Sequence, residues 1–116
     1  MNKSNTAEAT KGLGQEIETR FTPEQIRTRR KRDVALGYRL FASQRWGDTG
    51  DGHVSGRDPE RTDCFWLLRE GVSFHAAHVD ELVLVGPDGE IVEGPAKSRI
   101  NEAAYFIHHP ILEARP

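Results

Sequence analysis

Apolar positions are sparse at the front of the chain and then become regular: Val34, Tyr38 and Phe41 recur at i, i+4 and i+7, with Leu40 widening the stripe. That spacing marks one face of an α-helix. Thr22-Pro23-Glu24-Gln25 supplies its start, with a hydroxyl at the N-cap, proline at the first helical position, glutamine at the third and Phe21 ahead as a staple. A helix is predicted from there to about Arg45. Residues 27–33 of its first half include no apolar side chain, so that half is expected to project into solvent.

The polar run Gly47-Asp48-Thr49-Gly50-Asp51-Gly52 reads as a loop. Beyond it the chain alternates from His53 to Asp58, placing His53, Ser55 and Arg57 on one face of a strand and Val54 on the other. After a second polar turn, Cys64-Phe65-Trp66-Leu67-Leu68 is a short continuous apolar run of the kind buried strands show, and the two strands are able to pair as a hairpin. Leu82-Val83-Leu84-Val85, then Gly86-Pro87-Asp88-Gly89, then Glu90-Ile91-Val92-Glu93 predicts strand, tight loop and strand. Asn101 is the expected cap of a final helix with Ala103, Ile107, Pro110 and Ile111 on one face. Helix, antiparallel strands and helix make an α+β pattern.

The 116 residues suffice for one core. Residues 1–20 are expected to be a disordered tail and 21–116 the domain. Sixteen basic against eighteen acidic side chains, a net charge of -2, leave no overall field toward nucleic acid or acidic lipid. One cysteine, Cys64, excludes an intrachain disulfide and fits a reducing compartment, so the cytoplasm is the expected location. No segment has the roughly 20 apolar residues of a membrane helix.

The order of the motifs is more specific than any one of them. Tyr38-Arg39-Leu40-Phe41 on a helix, Gly52-His53-Val54-Ser55-Gly56-Arg57-Asp58-Pro59, Gly71-Val72-Ser73-Phe74, Asp80-Glu81-Leu82-Val83-Leu84-Val85 with Asp88-Gly89 and Val92-Glu93-Gly94, then Ile107-His108 and Ala114-Arg115-Pro116 together resemble the class II aldolase/adducin family. The resemblance implies the N-terminal part of a three-layer α/β/α domain with a mainly antiparallel sheet. Its members include zinc-dependent sugar-phosphate aldolases, which are lyases, related epimerases, decarboxylases and dehydratases acting on related acids, and the non-catalytic heads of adducin. It also implies substrate-binding roles for His53, Ser55, Arg57 and Gly71, where side chains and backbone N–H groups approach an anionic ligand. Arg57 followed by Asp58 reads equally well as an ion pair closing the turn. Glu70, where many relatives carry an uncharged residue, works against an anion.

In the aldolase members a divalent metal, zinc, acts as Lewis acid. The resemblance places its H-x-H histidines just beyond the position of Arg115-Pro116, and a third further on, so this chain is expected to stop before all three and to hold no cofactor. The resemblance also places the glutamate that serves such aldolases as acid/base or metal partner at Ala104, and Glu102 is about 200° away around a helix. His108 and His109 point about 100° apart, His75 and His78 lie in an unassigned loop, and His53 stands alone. None of the five is expected to bind metal, and Glu102 reads as a first-turn acid favoured by the helix dipole. Pro110 in mid-helix is expected to kink or end the helix.

Three functions compete. The chain is a truncated, catalytically inactive portion of a metal-dependent lyase-type protein. Alternatively it is a self-association module of adducin-head type, with a second copy or a missing C-terminal half covering an open sheet edge and an apolar helix face. The third is nucleic-acid binding through Arg27, Arg29, Arg30, Lys31 and Arg32, which no aromatic residue interleaves and which a solvated helix face explains equally well.

Overall fold

The computed structural model describes residues 17–49 and 51–116. Helix α1 is Pro23–Ser43, and strands β1 (Gly56–Arg57), β2 (Phe65–Leu68), β3 (Leu82–Val85) and β4 (Ile91–Glu93) precede helix α2 (Glu102–Ala114). Two short 3-10 turns, Phe74–Ala76 and Val79–Glu81, lie between β2 and β3. Of the expected tail, residues 1–16 lie outside the described residues, and Glu18 is tied to Arg30 of α1 at 2.6 Å.

The capping box at the start of α1 forms as its residues predict. The Thr22 hydroxyl accepts from the Gln25 N–H at 3.2 Å, and the Gln25 side chain accepts from the Thr22 N–H at 2.9 Å. The helix stops two residues before the predicted end, because Arg45 turns to φ 62° and the N–H groups of Arg45 and Trp46 close on Ala42 and Phe41. Val34, Ala35, Tyr38 and Ala42 are buried, with Phe41 packed against them. Leu40 does not widen this stripe, being 65% exposed. It stands about 200° around the helix from Tyr38.

The sheet runs β1-β2-β3-β4 with every neighbour antiparallel. Of the alternating segment from His53, only Gly56 and Arg57 enter the ladder, opposite Trp66 and Phe65. All eight residues of β2 and β3 are buried, because helices cover both faces. Trp66 lies under the Lys31 ammonium of α1, 4.1 Å from its ring centre, while its neighbour Phe65, on the opposite face, stacks on His108 of α2. Helix, sheet and helix therefore form three layers. The β3–β4 hairpin closes by a Gly89 N–H bond to the Gly86 carbonyl at 3.0 Å, with Gly89 at φ 82°.

Asn101 caps α2, accepting from the Ala103 N–H at 3.0 Å, but the inward face differs from the expected one. Ala104 is fully buried and Tyr105, His108 and Leu112 pack inward, while Phe106, Ile107 and Ile111 are 69%, 49% and 56% exposed. The helix brings His108 onto the polar face of the His53–Arg57 segment and buries small Ala104 beside it, so the spacing of its largest apolar side chains points the wrong way. Helix α2 runs through Pro110 to Ala114. The carbonyl that loses a partner there belongs to exposed Phe106.

Candidate functional site

The turn after β1 is organised by Asp58, the one fully buried charged residue among those described. Its carboxylate accepts from Arg27 Nε at 2.7 Å, Trp66 Nε1 at 3.0 Å and the backbone N–H groups of Glu60 and Arg61 at 3.1 and 2.8 Å. Burial alone would raise the Asp58 pKa. The Arg27 guanidinium, the Arg61 N–H, the Trp66 indole and the Glu60 N–H outweigh it and hold the carboxyl well below the usual carboxylate range. The expected alternative of an Arg57–Asp58 pair is not what forms.

The first half of α1 is likewise not left in solvent. Arg27 also reaches Glu60 at 2.6 Å, Arg29 lies 4.6 Å over the Phe21 ring, Arg30 binds Glu18 and the Arg57 carbonyl, and Lys31 covers Trp66. Long cationic side chains lay their stems on the fold and place their heads on local partners, so a stretch without apolar residues still packs. Four of the five charges of the basic cluster are engaged in this way, and the fifth, Arg32, is exposed.

Of the four residues expected to bind substrate, His53, Ser55 and Arg57 share one face, as their spacing predicts, and that face is turned toward α2. Arg57 donates to the carbonyls of Thr62, Leu112 and Arg115 at 2.7, 2.5 and 2.6 Å and fastens the end of α2 to the sheet. Ser55 Oγ lies 2.6 Å from His108 Nδ1, and His108 Nε2 lies 2.6 Å from His53 Nδ1. His53 therefore does not stand alone. Burial, and then the neighbouring His53, push the His108 pKa below its ordinary value. His109 turns away, as the 100° offset requires, stacking on Tyr105 and meeting Glu113 at 3.0 Å.

His53 and Gly71 meet at a cavity of about 640 Å³, lined also by Asp48, Glu70, His75 and Asn101. Gly71 has φ 89°, and a Cβ placed on it would meet nothing within 4 Å, so its backbone conformation rather than crowding calls for glycine. Gly47 meets both demands on the same wall: φ is 84° and a Cβ would fall 2.2 Å from the Phe74 ring. Arg69, on the cavity wall, is bound by Glu81. His108 is the functional candidate that sequence reasoning misses. The signal available was an imidazole four residues after Ala104 on a helix that must cover a polar strand face.

Among the described residues no three His, Cys, Asp or Glu side chains are placed to hold a metal ion together. His53 and His108 are spent on each other and Ser55, and His78 accepts from the Asp80 N–H at 3.3 Å. These residues do not fit a three-ligand zinc site. Cys64 is buried, which with the neighbouring Asp63 pushes its thiol up to about 11, so it is a packing residue rather than a thiolate.

The profile of the class II aldolase and adducin N-terminal domain matches residues 32–116. The meiotically up-regulated gene 14 protein of Schizosaccharomyces pombe is 31% identical over 96 residues, which cover 80% of this chain and 37% of that protein. An adducin-related protein of the same organism is 32% identical over 102 residues, covering 83% of this chain and 31% of its own length. Among solved structures, L-fuculose 1-phosphate aldolase from Glaciozyma antarctica superposes with a TM-score of 0.75 at 35% identity, over 82% of this chain and 39% of that one. An aldolase II superfamily protein from Pseudomonas syringae gives a TM-score of 0.71 at 34% identity, over 86% and 39%. The chain thus spans less than two fifths of each of these relatives. Its sequence and its three-layer antiparallel architecture agree: the chain belongs to the class II aldolase/adducin family.

Proposed function

We propose that this chain is the ligand-cradling portion of a class II aldolase/adducin-type domain and does not cleave carbon–carbon bonds by itself. The observation that carries the reading is the pairing of cavity and chemistry. A cavity of about 640 Å³ collects His53, Gly71 and Asn101, while buried Ala104 offers only a methyl group at the position that the family resemblance assigns to the acid/base or metal-partner glutamate. Enediolate stabilisation calls for a convergent metal-ligand set and a carboxylate beside it, and the cavity lining supplies neither among the described residues. Zinc analysis of the purified chain together with a retro-aldol assay on fuculose 1-phosphate tests this. The expected result is no stoichiometric zinc and no cleavage; bound zinc with turnover overturns it.

A second reading, self-association in the manner of an adducin head, is favoured by one feature: Phe106, Ile107 and Ile111 form an exposed apolar stripe on α2. A relative named adducin-related shares 32% identity. Light scattering on the eluting protein decides it, and a monomer at high concentration retires it.

A further inference from the structure

The polar contact between the β1 segment and α2 is a continuous chain of three groups, and its two ends differ. Ser55 Oγ meets His108 Nδ1, and His108 Nε2 meets His53 Nδ1. His53 lines the cavity and His108 does not, and with Nδ1 of His53 turned to the helix, Nε2 is the ring nitrogen left for a cavity ligand. That nitrogen has no partner among the described residues.

Two arrangements of the same number of protons satisfy this chain. In one, Ser55 donates to His108 Nδ1, His108 Nε2–H donates to His53 Nδ1, and His53 Nε2–H is a donor toward the cavity. In the other every bond runs backwards: His53 Nδ1–H donates to His108 Nε2, His108 Nδ1–H donates to Ser55, and His53 Nε2 presents a lone pair. Passing from the first to the second releases one proton at His53 Nε2 and takes one from water at Ser55, so no net charge is placed in the half-buried chain.

The surroundings select what such an end can read. On the cavity side Asp48 sits 3.5 Å from Arg45, Arg69 is held by Glu81, His75 is exposed, and the Glu70 carboxylate has no partner among the described residues. On the helix side Phe65 stacks on His108 and His109 is turned to Glu113. Arg57, the cation of the same strand face, is bound to three carbonyls. Among the described residues that line the cavity no fixed cation is unpaired, and Glu70 brings an unpaired carboxylate, which disfavours a phosphate.

We propose that Ser55, His108 and His53 form a two-way hydrogen-bond relay whose cavity end, His53 Nε2, offers a donor or an acceptor, and that it reads a hydroxyl or carbonyl of an uncharged small molecule. The ligand half of this rests on the cavity being the cradle proposed above; the relay half does not. Long-range ¹H–¹⁵N NMR of the histidine rings in the full chain at neutral pH tests the relay. The expected result is averaged His53 nitrogen shifts reflecting both tautomers, a changed tautomer ratio in Ser55→Ala, and its restoration in Ser55→Thr. One tautomer of His53, identical in all three proteins, overturns the relay. Dihydroxyacetone and inorganic phosphate, added separately at equal concentration, test the ligand: the expected result is that dihydroxyacetone moves the His53 signals more. A larger response to phosphate overturns the ligand half alone, and no response to either overturns it together with the cradle, leaving the relay decided by the tautomers.

Discussion

At the residue scale the largest single commitment is Asp58, whose burial is tolerable only because five hydrogen bonds from four residues surround it. Asp58→Asn keeps the shape but strips the charge opposite Arg27, and urea unfolding is expected to show a loss of about 3 kcal/mol. The Asp58 pKa is lowered on folding, so the stability it contributes is complete above the unfolded value. It is lost as pH falls below about 4 and on through the folded value. His108 has the same sign for a different reason. Its folded pKa is depressed by burial and by His53, so the unfolded chain binds the proton more readily. Stability is then expected to decline as pH falls below roughly 6.5, before the Asp58 window opens. Urea midpoints against pH check this, and His108→Gln is expected to flatten the upper of the two declines.

At the scale of elements, the two helices show where local signals suffice. The start of α1 is written in four adjacent residues, and Thr22→Ala, which removes the hydroxyl that caps Gln25, is expected to cost about 1 kcal/mol in thermal or urea unfolding. Helix α2 carries a cost of its own in Pro110, which lacks the N–H for the Phe106 carbonyl yet leaves the helix unbroken. Pro110→Ala is expected to stabilise the protein by about 1 to 3 kcal/mol; an unchanged or lowered midpoint would show that the proline costs the folded helix nothing. The β3–β4 hairpin was readable from Gly86-Pro87-Asp88-Gly89 because a tight turn is a property of its own four residues. The length of β1 was not, because pairing depends on what the partner strand offers, and β2 lies opposite only Gly56 and Arg57.

For the molecule as a whole, the outer face of α2 carries a prediction separable from stability. Phe106 and Ile111 are mostly exposed, so Phe106→Glu with Ile111→Glu is expected to leave the unfolding midpoint within about 0.5 kcal/mol. If the chain self-associates through that stripe, light scattering will show the pair monomeric. The strand core, the capping box, the hairpin and the common face of His53, Ser55 and Arg57 could all be read from residue order, because periodicity, capping and turn chemistry act over a few neighbours. Which way that face and α2 turned could not. Apolar spacing assigns a helix face by its largest apolar side chains, and here a polar strand face met a helix face of Ala104, Tyr105, His108 and Leu112, bringing His108 to a residue 55 positions away. The fate of the basic stretch on α1 was hidden for the same reason, since Asp58 and Trp66 reach it only once the sheet has folded back beneath the helix. Contacts between distant segments depend on how the layers stack, and no local pattern encodes that stacking.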